Sequence, residues 1–410
     1  VEVAFTPDRQ TMVLRPKALL GSASTPTDYT VRLLPGNSGL RLLGSGSGGP
    51  SIFSGGDGRL SSEGSGYAWR FQVSTVVDNT PPKIVSVVPL ANNRYAPNIV
   101  VQMNFDKPLN PLSASGLVRG GGGFQNIEVS AAPSGGSGSS RPDGLYTLSN
   151  QFQTVEFVTN VSCGVNACGR QVYCLPFSSD ISVNIRAASL SDAPPRARVV
   201  RSGDAALFDG VVDYVGNSFD GNGDGAAQGS AGDAVPGTDD YQWRFQTEAA
   251  PNLTPPRVTA VNPAVRASNV AVAADISADF DSLLQTSTLS SDDVLLRTNE
   301  PEELRDTFWW TTEAVTLRAD GGPAGAGDRP ARSRLVLNHR PFLAAQRQGE
   351  TVVAPEYAPF LTSGIQNIYQ NCFNPGSSAR CTGSPYCCDE RSSRAACAFP
   401  APLQPLPLNP

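Results

Sequence analysis

Histidine is all but missing from this chain: among 410 residues only His339 is one. That excludes metal sites built from several histidines. It also leaves a Ser-His-Asp hydrolase without support, since that chemistry needs a histidine base beside its nucleophile. Methionine occurs twice, and charged residues make up only 17%, below the usual quarter or so. No apolar run reaches the ~18 residues that mark a membrane-spanning helix. The 31 basic and 37 acidic residues leave a net charge of −6, which gives no positive footprint for nucleic acid. Initiator methionine, signal peptide and cleavage-site pattern are absent as well. The sequence opens at once on strand-like Val1-Glu2-Val3-Ala4-Phe5, and is read as a processed or incomplete chain.

What is abundant is glycine, with 40, and proline, with 34. So many breakers exclude a coiled coil or helix bundle. A hydrophobic content of 40% with small net charge excludes a disordered polyelectrolyte. The expectation is a turn-rich, all-β, multidomain protein.

A repeat sets the organisation. Tyr67-Ala68-Trp69-Arg70-Phe71-Gln72 recurs as Tyr241-Gln242-Trp243-Arg244-Phe245-Gln246, 174 residues on. Thr80-Pro81-Pro82-Lys83-Ile84-Val85 recurs as Thr254-Pro255-Pro256-Arg257-Val258-Thr259 with the same offset. Each pair reads as a strand, a Pro-Pro hinge and a new strand, the pattern of one domain ending where the next begins. The expected units are 1–76, 77–250 and 251–410. Alternating apolar and polar residues in Asn98 to Phe105 and Val270 to Phe280 suit half-buried sandwich strands. Gly44 to Gly58 and Pro133 to Ser140 read as exposed loops. Only Ser290 to Arg305 hints at a helical period.

The Thr-Pro-Pro opening, the strand ending in Phe105-Asp106-Lys107-Pro108-Leu109 and the closing Trp-x-Phe strands at Trp69 and Trp243 resemble the bacterial Ig-like domains of surface-layer and other cell-surface proteins. The resemblance implies tandem Ig-like β-sandwiches. The third unit departs from it. Phe280-Asp281 has no following proline, no Trp-x-Phe strand closes the unit, and a cysteine-rich segment takes that place.

The first unit is short. Asp28-Tyr29-Thr30-Val31-Arg32-Leu33 matches Asp180-Ile181-Ser182-Val183-Asn184-Ile185 late in the second unit, so it reads as the C-terminal half of an Ig-like domain. Half a sandwich leaves its core uncovered. Either residues ahead of Val1 complete it, or a neighbouring subunit supplies strands by β-augmentation. The tail Pro400 to Pro410 is a poor donor, because proline cannot donate to a ladder.

The eight cysteines form two clusters, Cys163, Cys168 and Cys174, then Cys372, Cys381, Cys387, Cys388 and Cys397. Neither spacing suits a zinc site, so disulfides are expected, outside the reducing cytosol. Both counts are odd. Full oxidation therefore requires a bridge between clusters or between chains, and otherwise each cluster leaves a free thiol.

Asp220-Gly221-Asn222-Gly223-Asp224-Gly225 matches the first half of a calcium loop, with hard oxygens at alternate positions. The expected ligands are Asp220, Asn222, Asp224, the Ala226 carbonyl and Asp233, with Asp213, Asp239 and Asp240 as more distant options. Ala231 stands where an EF-hand has glutamate, so that motif is not met. An ion-free Asn/Gly/Asp turn is the plainer alternative.

Other residues invite chemistry less. Trp309-Trp310 could stack on sugars, although neighbouring strand residues face opposite ways. Trp69 and Trp243 read as sandwich core, His339 as a strand end, and Glu302-Glu303 lack an apolar pocket. The leading expectation is a non-catalytic extracellular structural protein, self-associating into a filament, layer or stalk or contacting neighbouring cell-surface proteins. An adhesin or carbohydrate-binding segment, or accessory domains of a secreted enzyme, are the alternatives.

Overall fold

The computed structural model describes residues 1–16, 20–33, 67–136, 138–190, 197, 199–202, 205–232, 237–264, 267–290, 293–298, 310–324, 328–339, 346–348, 351–353 and 357–373. The fold is all-β. Among the described residues the α-helical segment is the single turn Pro111–Ala114, and no helix is long and apolar enough to cross a membrane.

Residues 77–250 form two facing sheets. One runs in the order Ile84–Val88, Val101–Phe105, Thr154–Thr159, Gly144–Ser149, Gly116–Arg119, Gly122–Gly123. The other runs Ile127–Pro133, Ser179–Ile185, Tyr241–Thr247, Arg94–Tyr95, its last pair parallel. Period-2 patterning decides which faces meet. In Ser179–Ile185 every other residue is buried, including Ile181, Val183 and Ile185. Trp243 and Phe245 of the closing strand do the same. They join Val101, Met103, Phe105, Tyr146, Val155 and Phe157 from the opposite sheet in one core. Trp243 keeps its indole N–H satisfied by donating to the Pro89 carbonyl at 3.0 Å, as a buried indole requires.

The third unit repeats the opening of the second in detail. Its sheet runs Val258–Asn262, Ile276–Phe280, Arg332–His339, Trp310–Leu317. The register of Val258–Asn262 on Ile276–Phe280 shifts between Val258 and Ala260, as that of Ile84–Val88 on Val101–Phe105 shifts between Ile84 and Ser86. The Asp281 carboxylate accepts from the Arg257 N–H at 2.8 Å and Asp106 from the Lys83 N–H at 2.9 Å. Pro89 and Pro263, also 174 residues apart, both follow cis peptide bonds.

The suggested helix near Ser290 to Arg305 is, at Val294–Thr298, a strand paired antiparallel with Tyr357–Leu361; residues 299–309 lie outside the described set. The reason is burial: Val294 and Leu296, two apart, both enter the third unit's core with Leu361 and Phe373. A period of two suits a strand and not a helix.

In the first unit Thr27–Leu33 pairs with Tyr67–Val73, and Glu2–Phe5 with Met12–Arg15. The first ribbon is the register twin of Ser179–Ile185 on Tyr241–Thr247. Val31 faces Trp69 as Val183 faces Trp243, and Tyr29 faces Phe71 as Ile181 faces Phe245. Even the side-chain bond recurs, Gln72 to Asp28 at 3.2 Å and Gln246 to Asp180 at 2.7 Å. Burial does not recur. Trp69 and Phe71 are each 37% exposed, against 5% for Trp243 and 1% for Phe245. Trp69 therefore departs from the expected core position, because no second sheet covers this ribbon among the described residues.

Candidate functional site

The acidic loop begins where the second sandwich has one strand left to lay down. Asp220 is buried, and its backbone N–H donates to the Pro82 carbonyl at 2.9 Å. Its carboxylate accepts from the N–H groups of Gly223 at 2.7 Å and Gly225 at 2.8 Å. Asn222 Oδ1 accepts from the Asp224 N–H, and Asp224 Oδ1 from that of Ala226, both at 2.9 Å. Such Asx turns need left-handed backbone between them, and Gly223 and Gly225 supply it at φ +75° and +92°. Gly221 has a different reason to be glycine: a Cβ there would lie 1.9 Å from the Asp239 carbonyl oxygen.

Asp239 comes against this loop from the far end, two residues before the closing strand. It is fully buried, and its Oδ2 accepts from the Gly229 N–H at 3.0 Å and from the Gln228 N–H. Its Oδ1 is buried with no hydrogen-bond partner. Burial pushes the Asp239 carboxyl above its ordinary value. The two N–H donors pull the other way, and the nearby charges of Asp220 and Asp224 add to the rise. Asp233 lies outside the described residues. Of the more distant options, Asp213 pairs with Lys107 and Asp240 accepts from the Ala187 N–H at 2.9 Å and the Ser230 hydroxyl. Among the described residues no three His, Cys, Asp or Glu side chains already converge as a metal cage. The signal for Asp239 in the sequence was its position: a carboxylate at a strand end is fixed by the sheet, while one in mid-loop is not.

Lys107 and the turn just ahead of that loop grip the hinge between the first and second units. Lys107 Nζ reaches Asp78 Oδ2 at 2.6 Å, the Thr80 carbonyl at 2.7 Å and Asp213 Oδ2 at 2.9 Å. The Lys107 hydrogen bond holds the Asp78 carboxyl below the usual carboxylate range. Asn217 Nδ2 donates to the carbonyls of Asp78 and Thr80 and to Asp213 Oδ2.

The hinge between the second and third units is closed differently. Glu156 is fully buried in the second unit. Its carboxylate accepts from Gln102 Nε2 at 2.8 Å, and from the third unit's Thr286 N–H at 2.6 Å, Thr286 hydroxyl at 2.9 Å and Ser287 N–H at 3.0 Å. It thus satisfies N–H groups at the head of the short 3₁₀ turn Thr286–Thr288. Asn98 Nδ2 donates to the carbonyls of Asn252 and Tyr369, each at 2.7 Å. Gln370 Nε2 donates to those of Asn98 and Tyr173. Leu283 and Ile368 of the third unit lie in the second unit's core.

Disulfides complete this joint. Cys163 pairs with Cys174 inside the first cluster, with Cα atoms 5.7 Å apart. Cys168 pairs with Cys372 across the two clusters, 6.3 Å apart. The odd count of the first cluster is resolved by a bridge between units. Cys381, Cys387, Cys388 and Cys397 lie outside the described residues. So do Trp309, Glu302 and Glu303. Trp310 opens a strand, and His339 ends one with Nε2 2.8 Å from the Ala274 carbonyl oxygen.

Comparison with known proteins supplies a family for one segment. A family model described as a bacterial Ig-like domain matches residues 252–322, the stretch holding the second Pro-Pro opening. No curated protein matches. Among solved structures, the crystal structure of a chicken TCR aligns at 9% identity, covering 66% of this chain and 97% of that one. The TM-score is 0.16.

Proposed function

We propose that this chain is a non-catalytic structural link in an extracellular array, a cell-surface filament, layer or stalk built from Ig-like units. The observation that carries the reading is the joint between the second and third units. A disulfide, a buried carboxylate and a shared apolar core all cross it. A connection held in three independent ways suits a part that transmits load, since domain interfaces within a chain otherwise move by default. The disulfides support a site of action outside the reducing cytosol, and the bacterial Ig-like segment supports a surface-exposed module.

The first unit supports association with a neighbour. Its ribbon offers Tyr29, Val31, Trp69 and Phe71 on one half-buried face, the face that its twin in the second unit buries under a whole sheet. In our reading a neighbouring copy closes this face with strands of its own. Sedimentation velocity over a range of concentrations tests it. Wild-type chain should form chains of copies as concentration rises, and Phe71→Glu should shift the boundary towards monomer. A wild type that stays monomeric throughout would contradict association.

A further inference from the structure

The joint between the second and third units is made of two turns, one that plugs and one that receives. The plug is the third unit's turn 367–371. Asn367 Oδ1 accepts from the N–H groups of Tyr369 and Asn371, each at 3.0 Å. Asn371 Nδ2 donates to the Asn252 carbonyl in the hinge. The tip enters the second unit's core, with Ile368 buried and Tyr369 half-buried against it. The socket is the second unit's turn 96–100, closed by the Ile99 N–H donating to the Ala96 carbonyl at 3.1 Å. Asn98, Ile99 and Val100 are all buried there, and the Val100 N–H donates to the Ile368 carbonyl at 2.8 Å.

Each part occurs a second time, and among the described residues neither second copy meets its counterpart. The second unit's turn 213–217 has the hydrogen bonds of the plug. Asp213 Oδ1 accepts from the N–H groups of Val215 at 3.0 Å and Asn217 at 2.8 Å. Asn217 Nδ2 donates to the Asp78 carbonyl, and Asp78 stands 174 residues before Asn252. Gly216 and Gln370 share left-handed backbone, at φ +90° and +61°. Tyr214 and Val215 thus match Ile368 and Tyr369, yet they are 50% and 48% exposed. The socket recurs in the third unit, where the Ala274 N–H donates to the Ala271 carbonyl at 3.0 Å. Around that turn Val270, Ala271, Val272 and Ala273 are all exposed. Single exposed apolar residues mean little. Here they fall on both halves of a joint that the same chain shows closed elsewhere.

We propose that the Tyr214–Val215 tip of one chain seats against Val270 and Val272 in the third unit of a second chain. The inference rests on the reading that copies associate, and names the surfaces they use. A second copy is the occupant because one chain carries both free halves of the joint. Plug and socket are different surfaces, so the contact is heterologous, the kind that adds copies head to tail. Ala273 stands where the second unit's socket has Asn98, so this contact is more apolar than the one within the chain. Asn217 also holds the hinge that follows the Trp69 ribbon. A third unit seated on the plug therefore lies beside the open face of the first unit.

Sedimentation velocity of the intact chain tests this with wild type, Val215→Asp and Val272→Arg. Both positions are exposed, so the variants should melt like wild type. Each alone should associate about tenfold more weakly or worse, because it sets an unpaired charge in an apolar contact. An equimolar mixture should recover pairs, since the intact plug of Val272→Arg fits the intact socket of Val215→Asp. A photoreactive benzoylphenylalanine placed at Tyr214 should crosslink to residues 270–274 and give a product of twice the chain mass. Variants that associate as well as wild type would overturn the inference while leaving association itself standing. So would a mixture that stays monomeric beside an associating wild type, or a crosslink to any other segment. A wild type that stays monomeric at every concentration would overturn the inference and the array reading together.

Discussion

Glu156 and Asp279 are both carboxylates on strands, and their surroundings give them opposite kinds of importance. Glu156 has no access to water and is the acceptor for both backbone N–H groups at the third unit's Thr286 and Ser287. Glu156→Gln should cost about 2 kcal/mol, the usual value of a hydrogen bond to a buried charge. Denaturant unfolding should register the loss, and the third unit should loosen first. Asp279 lies across from Arg334 with contacts of 2.5 and 2.9 Å, and those hydrogen bonds hold its carboxyl below the ordinary value. Because Asp279 is more acidic folded than unfolded, its contribution is complete above the unfolded value near 4 and vanishes as pH falls through the lowered one. Arg334 is partly open to solvent, so Asp279→Asn should cost only about 0.5 kcal/mol at pH 7, and nothing once both forms are protonated. Melting wild type and variant from pH 7 to pH 2 checks this. The sequence named the acidic loop by its alternation of Asp and Asn. It could not show that Asp239 is buried, since that depends on how its strand end packs.

Strands were the most legible level. The Trp-x-Phe and Thr-Pro-Pro repeats marked two closing and two opening strands, and the structure reproduces their registers down to the shift at Ile84 and Val258. The short apolar run at Val294–Thr298 was less clear, because five residues carry too little periodicity to separate strand from helix. Burial at the repeated positions could not be read locally at all. Trp69-Arg70-Phe71 and Trp243-Arg244-Phe245 are identical tripeptides, and only the presence of an opposing sheet distinguishes them. Phe245→Ala should therefore cost about 3–5 kcal/mol, as for a full-size core aromatic. Phe71→Ala in dilute monomer should cost only about 1 kcal/mol, because part of its ring is already in water. Chemical denaturation of the two variants side by side makes the comparison.

At the scale of the whole molecule the two disulfides should differ in weight. The Cys163–Cys174 bridge spans 11 residues and the Cys168–Cys372 bridge 204. Loop-closure entropy gives about 3 kcal/mol for the first and about 5 kcal/mol for the second. Cys168→Ala should lower stability more than Cys163→Ala, and should split one calorimetric transition for the second and third units into two. Parity of the cysteine clusters raised the possibility of such a crossing bridge. Its route, through Ile368 and Gln370 laid into the second unit, is a tertiary fact that no local pattern carries. The central claim, that this chain is a link in an array, is tested most directly by electron microscopy of the concentrated protein. The account predicts unbranched rows of copies joined through the first unit, which Phe71→Glu disperses; a field of single particles at every concentration would contradict it.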